Sequence, residues 1–517
     1  MKKLSKLLAA ILALSLLAAS CGSSGTDDVV EADTSALDDA QDALAEAQAE
    51  AAENASALAE AEEAKAAAES AAADAEAAKT AAEEAAAAAA AEAAAAGETA
   101  AAAAGSSSAP LGRAAVYVTG PERSPAEAGA LQAALNDFGD ANDLTIFYVG
   151  SADWEAEINV QIEAGNPPDI SVFPQPGKLA DFARSGSVIP LPDEVTSNVA
   201  VNWSPGAMGF GLVDGVQHGV PNKTDLKSLV WYQPARFEAA GYDIPNSLDE
   251  LFALTETMIA DGNTPFCIGI ESGQATGWPF TDWVEDMMLR RHSGETYDAW
   301  VAGDLDFSSD EVTSVMQEVL DVWNTPGMVY ADGGTVASTA FQANGEALVN
   351  GDCMMHRQAS FFSSFFPDGT PVQDGSEGAI DVFQFPPGDT DPAIVLTAGT
   401  LVGAFDDRPE VWAVMEYFGS PEYANARQGY QQQTKGGGDV LSGFNTANLN
   451  ADRSLWAPLE QSFLEIMATN DVRFDGSDLM PADVGAGTFW TEGTAMVNGE
   501  TSVADAAAAI DASWPDN

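Results

Sequence analysis

Short apolar runs alternate with helix-forming stretches at the start of the globular part of the chain, and this alternation restricts the fold. The segments are predicted strands at 114–118, 144–149 and 169–173 and predicted helices at 125–138 and 154–164. Strands and helices that alternate at this spacing form parallel sheets, in which the loops after the strands carry the binding residues. We therefore predict an α/β fold with functional loops that begin at Gly120, Gly150 and Pro174.

The first 20 residues have the pattern of a bacterial secretion signal. Three lysines within the first six residues precede an apolar run at 7–19, which is too short to span a membrane as a helix. The sequence LAASCG at 17–22 resembles a lipobox, although Leu is commoner than Ala at position 18. We therefore predict a signal peptide at 1–20 and a lipidated Cys21 that anchors the protein to the outside of the bacterial cell membrane.

Residues 35–96 consist almost entirely of Ala and Glu and contain neither Pro nor Gly. Because Ala is the strongest helix former, this run predicts a helical stalk that reaches roughly 90 Å if it is fully helical. Its heptad seam is mostly Ala, so a weak coiled coil, a single solvated helix and a partly disordered tether are all open interpretations. We interpret 21–112 as the lipidated cysteine, the stalk and a flexible linker.

The chain is strongly acidic, with 80 Asp and Glu residues against 20 Lys and Arg residues and a formal charge of −60. Nucleic acid is excluded as a partner, because phosphate binding depends on Lys and Arg, and anionic lipid surfaces are disfavoured for the same reason. The stretch 113–517 holds 60 of the acids and 15 of the bases, so most of the excess belongs to the globular part. An excess on this scale suggests a saline habitat, where ions screen the repulsion.

The sequence offers little for cofactor, metal or enzyme chemistry. It has three His and three Cys without zinc-site spacing, so we expect no metal and no cofactor. It also lacks a Gly-x-Ser-x-Gly nucleophile motif and a Gly-Lys-Ser/Thr phosphate loop, so we do not expect an enzyme. Carboxylate pairs are abundant in so acidic a chain, and a surface glycoside hydrolase therefore stays an open alternative.

A series of short motifs runs along residues 113–517. They are AGNPPDI at 164–170, PQPG at 174–177, GSVIPL at 186–191, GVP at 219–221, SLVWY at 228–232, FEAAGY at 237–242, PNSLDEL at 245–251 and GTFW at 487–490. In this order they resemble the extracellular solute-binding proteins of carbohydrate ABC transporters. A further segment, TGWPFTDWVEDMM at 276–288, is most similar to the alpha-glucoside-binding branch of this family.

The resemblance implies a periplasmic-binding-protein-like type II clamshell of two α/β lobes that close around a ligand. The chain of such proteins crosses between the lobes three times, here expected near 223–225, 354–357 and 396–400. The implied N-terminal lobe comprises 113–224 and 355–396, and the implied C-terminal lobe comprises 225–354 and 397–517.

The resemblance also implies a function. It indicates a monomeric, non-catalytic receptor that captures an alpha-glucoside or similar sugar and delivers it to the membrane permease of an ABC importer. A receptor for a cationic solute such as a polyamine is an alternative, because the acidity suits such a ligand. The glycoside hydrolase is the alternative outside the binding proteins.

Sugars carry hydroxyl groups around the ring and C–H groups on its faces, so their sites combine aromatic rings with planar hydrogen-bonding groups. The candidate ligand-binding residues are Asp153, Trp154, Gln175, Lys227, Trp278, Asp282, His356, Arg357 and Trp490. By similarity, Asp153 and Trp154 supply a carboxylate and a stacking ring, and Trp490 aligns with a sugar-stacking tryptophan of maltose-binding relatives. Core packing is the alternative role for both tryptophans.

The second expected crossing departs from those relatives. They place another stacking tryptophan where this chain reads CMMHRQ at 353–358. The resemblance therefore implies that His356 or Arg357 forms hydrogen bonds with sugar hydroxyl groups here. A structural role at the hinge is the alternative for Arg357.

Two cysteines remain once Cys21 is assigned to the lipid. Cys267 lies in an apolar predicted strand, and Cys353 lies beside the expected second crossing. Because the compartment outside the membrane is oxidising, we predict a disulfide between them.

Overall fold

The computed structural model describes residues 114–373, 375–376, 378–388, 394–437 and 440–515. They belong to one compact unit that begins at Leu111. The predicted signal peptide, Cys21 and the Ala/Glu-rich stalk lie outside the described residues. Among the described helices, none combines the length and apolar composition that a membrane span requires.

The described chain folds into strands and helices in the following order. The strands are β1 (Ala114–Gly120), β2 (Leu144–Gly150), β3 (Ile170–Phe173), β4 (Leu212–Val213), β5 (Val216–Gln217), β6 (Gly219–Leu226), β7 (Leu229–Tyr232), β8 (Phe266–Cys267), β9 (Val329–Tyr330), β10 (Met355–Arg357), β11 (Asp381–Gln384), β12 (Val395–Ala404) and β13 (Val472–Phe474). The first helices are α1 (Pro125–Asn142), α2 (Trp154–Glu163), α3 (Pro176–Arg184), α4 (Asp193–Ala200), α5 (Pro205–Gly209), α6 (Pro234–Ala240), α7 (Leu248–Ala260), α8 (Trp278–Arg291) and α9 (Gly294–Val301). The remaining helices are α10 (Asp310–Asn324), α11 (Ala343–Asn350), α12 (Pro409–Phe418), α13 (Pro421–Thr434), α14 (Pro458–Thr469), α15 (Gly476–Leu479), α16 (Trp490–Val497) and α17 (Val503–Asp511).

The predicted alternation of three strands and two helices at the start of the globular part is present. Ser124 begins α1 by accepting the backbone N–H of Glu127, and Pro125 occupies the first turn, where its missing N–H costs nothing. This helix continues one turn beyond the predicted end and stops where Asp143 adopts a left-handed conformation. The starts of these strands and helices were predicted closely because local residues set them, whereas the end of α1 was predicted one turn too early.

The first lobe is built on a sheet with the order β13-β12-β3-β1-β2, and β6 also pairs with β12. β1 runs parallel to β2 and β3, whereas β12 runs antiparallel to β3 and β6. Its main core lies between the sheet and helices α1, α12 and α13. Core residues include Val116, Val118, Leu131, Leu135, Val172, Val402, Val414 and Phe418.

The second lobe is built on a sheet with the order β11-β7-β10-β8-β9. Helices on its faces bury a large aromatic core, which includes Phe266, Phe280, Trp283, Trp300, Phe307, Trp323 and Phe489. Helix α8 is the central helix of this lobe, and every residue from Pro279 to Arg290 is buried. Two α/β lobes are therefore present, as predicted.

The lobe boundaries differ from the prediction after residue 354. β10 and β11 pair with β7 in the second sheet, so 355–384 belongs to the second lobe. β12 pairs with β3 and β6, and α12 and α13 contribute to the first core, so 395–434 belongs to the first lobe.

The chain passes between the sheets after β6, between β11 and β12, and after β13. The crossing near 223–225 was therefore predicted closely, and the expected crossing near 396–400 lies close to the start of β12. The crossing at 354–357 was wrong, because β10 is an internal strand of the second sheet.

Candidate ligand-binding cleft

A cavity of about 360 Å³ lies between the two lobes. Its first-lobe wall includes Glu122, Ala152 and Gln175, which come from the loops after β1, β2 and β3. This arrangement follows the rule that binding residues of a parallel sheet lie at the carboxyl ends of its strands. The second-lobe wall comes from the loop before α8, the segment 341–365, and the helices α15 and α16.

Four predicted ligand-binding residues line this cavity, namely Gln175, Lys227, Trp278 and Trp490. Gln175 is buried at the start of α3, between two prolines. Gly277 has a φ of 113°, and a Cβ at this position would lie 2.2 Å from the carbonyl oxygen of Trp490. A glycine is therefore required for the close approach that places Trp278 and Trp490 on the same wall.

The loop after β2 does not supply the predicted stacking ring. Trp154 is 1% exposed, donates its indole N–H to Ser171 Oγ at 3.0 Å, and packs edge-on against Phe173. Asp153 is exposed at the N-terminus of α2 and is not among the cavity-lining residues. Trp154 is a core residue because its helix packs over β3, and the neighbouring Ala152 and Glu155 line the cavity instead.

His356, Arg357 and Asp282 are buried away from the cavity wall. His356 lies on β10, where its Nδ1 is 2.9 Å from the carbonyl oxygen of Cys267. Burial lowers its pKa to about 3, so the ring is neutral. Arg357 pairs with Asp286 at 2.7 Å and lies 3.5 Å from Asp282. The structural role considered for Arg357 is the one that the structure shows.

A buried ionic network joins the crossing segments of the two lobes. Lys227, just after β6, donates to Asp282 of α8 at 2.6 Å and to Asp475, just after β13. Burial raises the pKa of Asp282 to about 6, although Lys227 opposes this shift. Burial also acts on Asp475, but Lys227 and the donors from Ser477 and Asp478 outweigh it and lower the pKa of Asp475. Lys227 and Asp475 also line the cavity, so the network connects the hinge to the cleft.

An aromatic wall forms the second-lobe side of the cavity. It consists of Trp278, Phe341, Phe361 and Phe365, with centroid distances of 5.0 Å from Trp278 to Phe341 and 5.9 Å from Trp278 to Phe361. The three phenylalanines were missed by the sequence reasoning. The sequence SFFSSFF at 360–366 was an available signal for Phe361 and Phe365, because it places four aromatic rings within seven residues.

Three cavity-lining residues hold buried polar atoms that have no hydrogen-bond partner within the described part of the chain. These atoms are Glu122 Oε2, Gln175 Oε1 and Trp490 Nε1. The other carboxylate oxygen of Glu122 accepts from the buried Arg427 at 2.8 Å. Burial raises the pKa of Glu122, but Arg427 and Lys223 outweigh burial and hold it below its usual range. Glu122 is thus an oriented, ionised acceptor, and it was missed because Arg427 lies 305 residues away.

Carboxyl groups outnumber basic groups on the described cavity wall. The six acids are Glu122, Glu127, Glu155, Asp225, Asp475 and Asp478, and the three bases are Arg123, Lys223 and Lys227. Burial raises the pKa of Glu127, Glu155 and Asp225, and it raises that of Asp478 well above its usual range. Within the described residues, no group of three His, Cys, Asp or Glu side chains is arranged to hold a metal ion.

The lobes also contact each other beside the cavity. The carboxylate of Asp181 on α3 accepts the backbone N–H of Ala482 at 2.9 Å. A Cβ on Gly177 would lie 1.9 Å from the carbonyl oxygen of Met480, so the backbones of the two lobes approach each other closely here. These contacts hold the two walls of the cavity together on this side.

The predicted disulfide is present in the second lobe. Cys267 on β8 and Cys353, just before β10, form a bridge with a Cα–Cα distance of 5.4 Å. The bridge joins neighbouring parts of one sheet and does not cross between the lobes.

Comparison with known proteins assigns the chain to a family. Residues 121–425 match the family described as bacterial extracellular solute-binding protein. This chain belongs to the bacterial extracellular solute-binding proteins. The family resemblance inferred from the sequence motifs is therefore confirmed.

Two relatives of this solute-binding protein match over most of its length. It is 38% identical over 391 residues to the alpha-glucosides-binding periplasmic protein AglE of Rhizobium meliloti. This alignment covers 73% of this chain and 82% of the relative. It is 34% identical over 400 residues to the osmoprotective compounds-binding protein GgtB of Synechocystis. This alignment covers 74% of this chain and 89% of the relative.

Solved structures share the fold of this solute-binding protein. A maltose-bound protein of T. maritima has a TM-score of 0.60 at 18% identity and covers 77% of this chain and 98% of that protein. A chitin oligosaccharide binding protein has a TM-score of 0.64 at 14% identity, and the match covers 77% of this chain and 98% of that protein. These matches confirm the two-lobed solute-binding fold.

Proposed function

We propose that this solute-binding protein captures an alpha-glucoside or a similar small sugar in the cavity between its lobes. The observation that carries the proposal is the composition of the cavity wall. Trp278, Phe341 and Phe361 line the cavity with aromatic rings, and Glu122 and Gln175 line it with a carboxylate and a carboxamide. A sugar matches this arrangement, because its C–H faces pack on rings while its hydroxyl groups donate to the acceptors.

The size of the cavity supports a small ligand. A volume of about 360 Å³ lies near the lower end of the roughly 300–1,000 Å³ range of small-molecule sites. The six carboxyl-bearing residues and Gln175 on the wall support a polar ligand.

The relatives support the same class of ligand. AglE is named for alpha-glucosides and GgtB for osmoprotective compounds, and one structural neighbour holds maltose. We extend the alpha-glucoside class to this chain on the basis of its identity to AglE, together with the aromatic wall.

We further propose that the protein works outside the cytoplasm as a monomer and hands the sugar to the permease of an ABC importer without chemical turnover. Lipid at Cys21 would hold it at the membrane. The lipobox-like sequence at 17–22 and membership of the extracellular solute-binding family support this arrangement. Mass spectrometry of the membrane-extracted protein tests the anchor, and a Cys21→Ser variant that remains membrane-bound would contradict it.

A second candidate is a receptor for a cationic solute such as a polyamine. The excess of six acids over three bases on the cavity wall favours it. The two candidates predict different pH dependence, because a cation binds better as the carboxyl groups ionise. A neutral sugar gains no charge interaction from that ionisation.

A binding panel separates the candidates. Isothermal titration of the purified protein with maltose, trehalose, sucrose, putrescine and spermidine should give heat with at least one sugar and with neither amine. Binding of spermidine that strengthens as pH rises, without binding of any sugar, would replace the proposal with the second candidate. Release of glucose from maltose or trehalose would contradict a function without turnover.

A further inference from the structure

One cavity-lining lysine differs from the other three lysines of the globular part in how its ammonium group is bonded. The other three each donate at short distance to protein acceptors. These contacts are Lys178 to the carbonyl oxygen of Glu155 at 2.7 Å, Lys227 to Asp282 at 2.6 Å, and Lys435 to the carbonyl oxygen of Phe366 at 2.6 Å and to Asp368 at 2.9 Å.

Lys223 lies on β6, is 7% exposed, and lines the cavity. Its Nζ lies 4.0 Å from Glu122, 4.0 Å from Glu127 and 3.6 Å from Asp225. At these distances the three carboxylates stabilise the charge of the ammonium group but are too far away to accept a hydrogen bond from it. No described residue accepts a hydrogen bond from this ammonium, which carries three N–H donors.

The surroundings of Lys223 restrict where an acceptor can come from. Its Nζ lies 5.1 Å from the centroid of Phe361, so a ring of the aromatic wall faces it. The carboxylates of Glu122, Glu127 and Asp225 are too distant to bond, and β6 continues into the buried sheet. The cavity is therefore the place from which an acceptor can approach.

The chemistry of this group selects among ligand classes. An ammonium ligand offers no acceptor to Lys223. An anionic ligand offers one but meets six carboxyl groups against three bases on the wall. A neutral ligand with oxygen acceptors satisfies the donors without meeting either conflict.

We propose that Lys223 donates a hydrogen bond to a hydroxyl oxygen of the bound ligand, beside the face of Phe361, and that this ligand is an uncharged glycoside. The inference rests on the proposed function, since it places a sugar in this cavity. It adds a specificity-determining residue and excludes phosphorylated and acidic sugars.

The test compares isothermal titrations of the wild type, Lys223→Met and Lys435→Met with maltose and trehalose. Because a hydrogen bond to a charged group contributes more to the binding affinity than a neutral one, Lys223→Met should weaken sugar binding by about tenfold to a hundredfold. Lys435→Met is the matched control, because it removes a buried lysine outside the cavity, and its affinity should stay within about twofold of the wild type. If Lys223→Met does not fold, Lys223→Met with Asp225→Asn removes one charge of each sign and should show the same loss.

Two further measurements distinguish hydrogen bonding from a structural role. Monodeoxy analogues of the bound sugar should include one that binds the wild type weakly and binds Lys223→Met as well as the parent sugar does. Trehalose 6-phosphate should bind the wild type at least tenfold more weakly than trehalose.

The outcomes separate the two proposals. A wild type that binds no neutral sugar overturns the proposed function and this inference with it. A wild type that binds sugar while Lys223→Met binds within twofold overturns the inference alone. Equal losses for every deoxy analogue would show a structural role, and tight binding of the phosphorylated sugar would overturn the restriction to uncharged ligands.

Discussion

Replacement of Lys227 by Met should strongly destabilise the fold at the hinge. The Lys227 ammonium lies between Asp282 on α8 and Asp475 after β13, and all three side chains are buried. Methionine keeps most of the length of the side chain but removes its charge. The variant therefore leaves two facing carboxyl groups without their shared cation.

The magnitude follows from the geometry of the pair. Two unit charges 2.6 Å apart, as for Lys227 and Asp282, attract by about 6 kcal/mol at an effective dielectric constant of about 20. Much of this attraction offsets the desolvation of the charges, but removal of one partner leaves that desolvation uncompensated. Such deletions cost about 3–5 kcal/mol, so we expect a loss of that size in the free energy of unfolding at pH 8.

The loss should depend on pH. The pKa of Asp282 is already raised to about 6 by burial, and Lys227 holds that of Asp475 below its usual range. Without Lys227 both pKa values rise above those of the unfolded chain, so the folded variant takes up protons as pH falls. The unfolding free energy of the variant then rises by up to about 1.4 kcal/mol per pH unit for each proton taken up. Its loss of stability relative to the wild type should therefore shrink between pH 8 and pH 5.

Urea unfolding followed by tryptophan fluorescence at pH 8 and pH 5 measures this deficit. Lys227→Met combined with Asp475→Asn is the matched variant, because it removes one of the two uncompensated charges and should recover part of the loss at pH 8. A deficit below about 1 kcal/mol at pH 8, or one that is equal at both pH values, would refute the reasoning.

Three further predictions concern the cavity wall, a buried acid and the disulfide. Trp278→Ala should weaken sugar binding by about tenfold or more, measured by titration, whereas Trp412→Ala, outside the cavity, should not. Burial raises the pKa of Glu460 from 4.5 to about 7, so wild-type stability should fall by about 3 kcal/mol as pH rises across that interval, and urea unfolding of Glu460→Gln should lack this slope. Replacement of Cys267 and Cys353 by Ser opens a loop with a sequence separation of 86 residues and should cost about 4–5 kcal/mol of unfolding free energy, also measured in urea.

The sequence motifs were sufficient to identify the family and the two-lobed fold. The matched blocks lie in strand-end loops and helix starts, where local residues determine the backbone. Gln175 is an example, because Pro174 and Pro176 set the loop after β3. Trp278 and Trp490 were also proposed from the sequence, and both line the cavity.

The lobe assignment after residue 354 could not be derived in the same way. β10 is a strand of three residues, Met-His-Arg, and β12 is a largely apolar strand of ten residues, and nothing local tells which sheet each joins. β10 enters the second sheet through β7, more than 120 residues earlier, and β12 joins the first sheet through β3 and β6. Pairing over such separations depends on the assembled cores.

The site residues show the same difference between what local sequence determines and what depends on the assembled fold. Local sequence determined the strands, the helix starts and the presence of aromatic and acidic side chains near the cleft. The tertiary structure decided which of them face the cavity. It placed Trp154 in the core and Asp282 and Arg357 in the hinge network.

Glu122 and Lys223 show why this division exists. Each is an ordinary charged residue in the sequence, and each acquires its role from groups distant along the chain, Arg427 for Glu122 and Phe361 for Lys223. The charge and hydrogen-bonding capacity of a side chain are local properties. Its burial, its partners and therefore its availability to a ligand exist only after the two lobes have folded together.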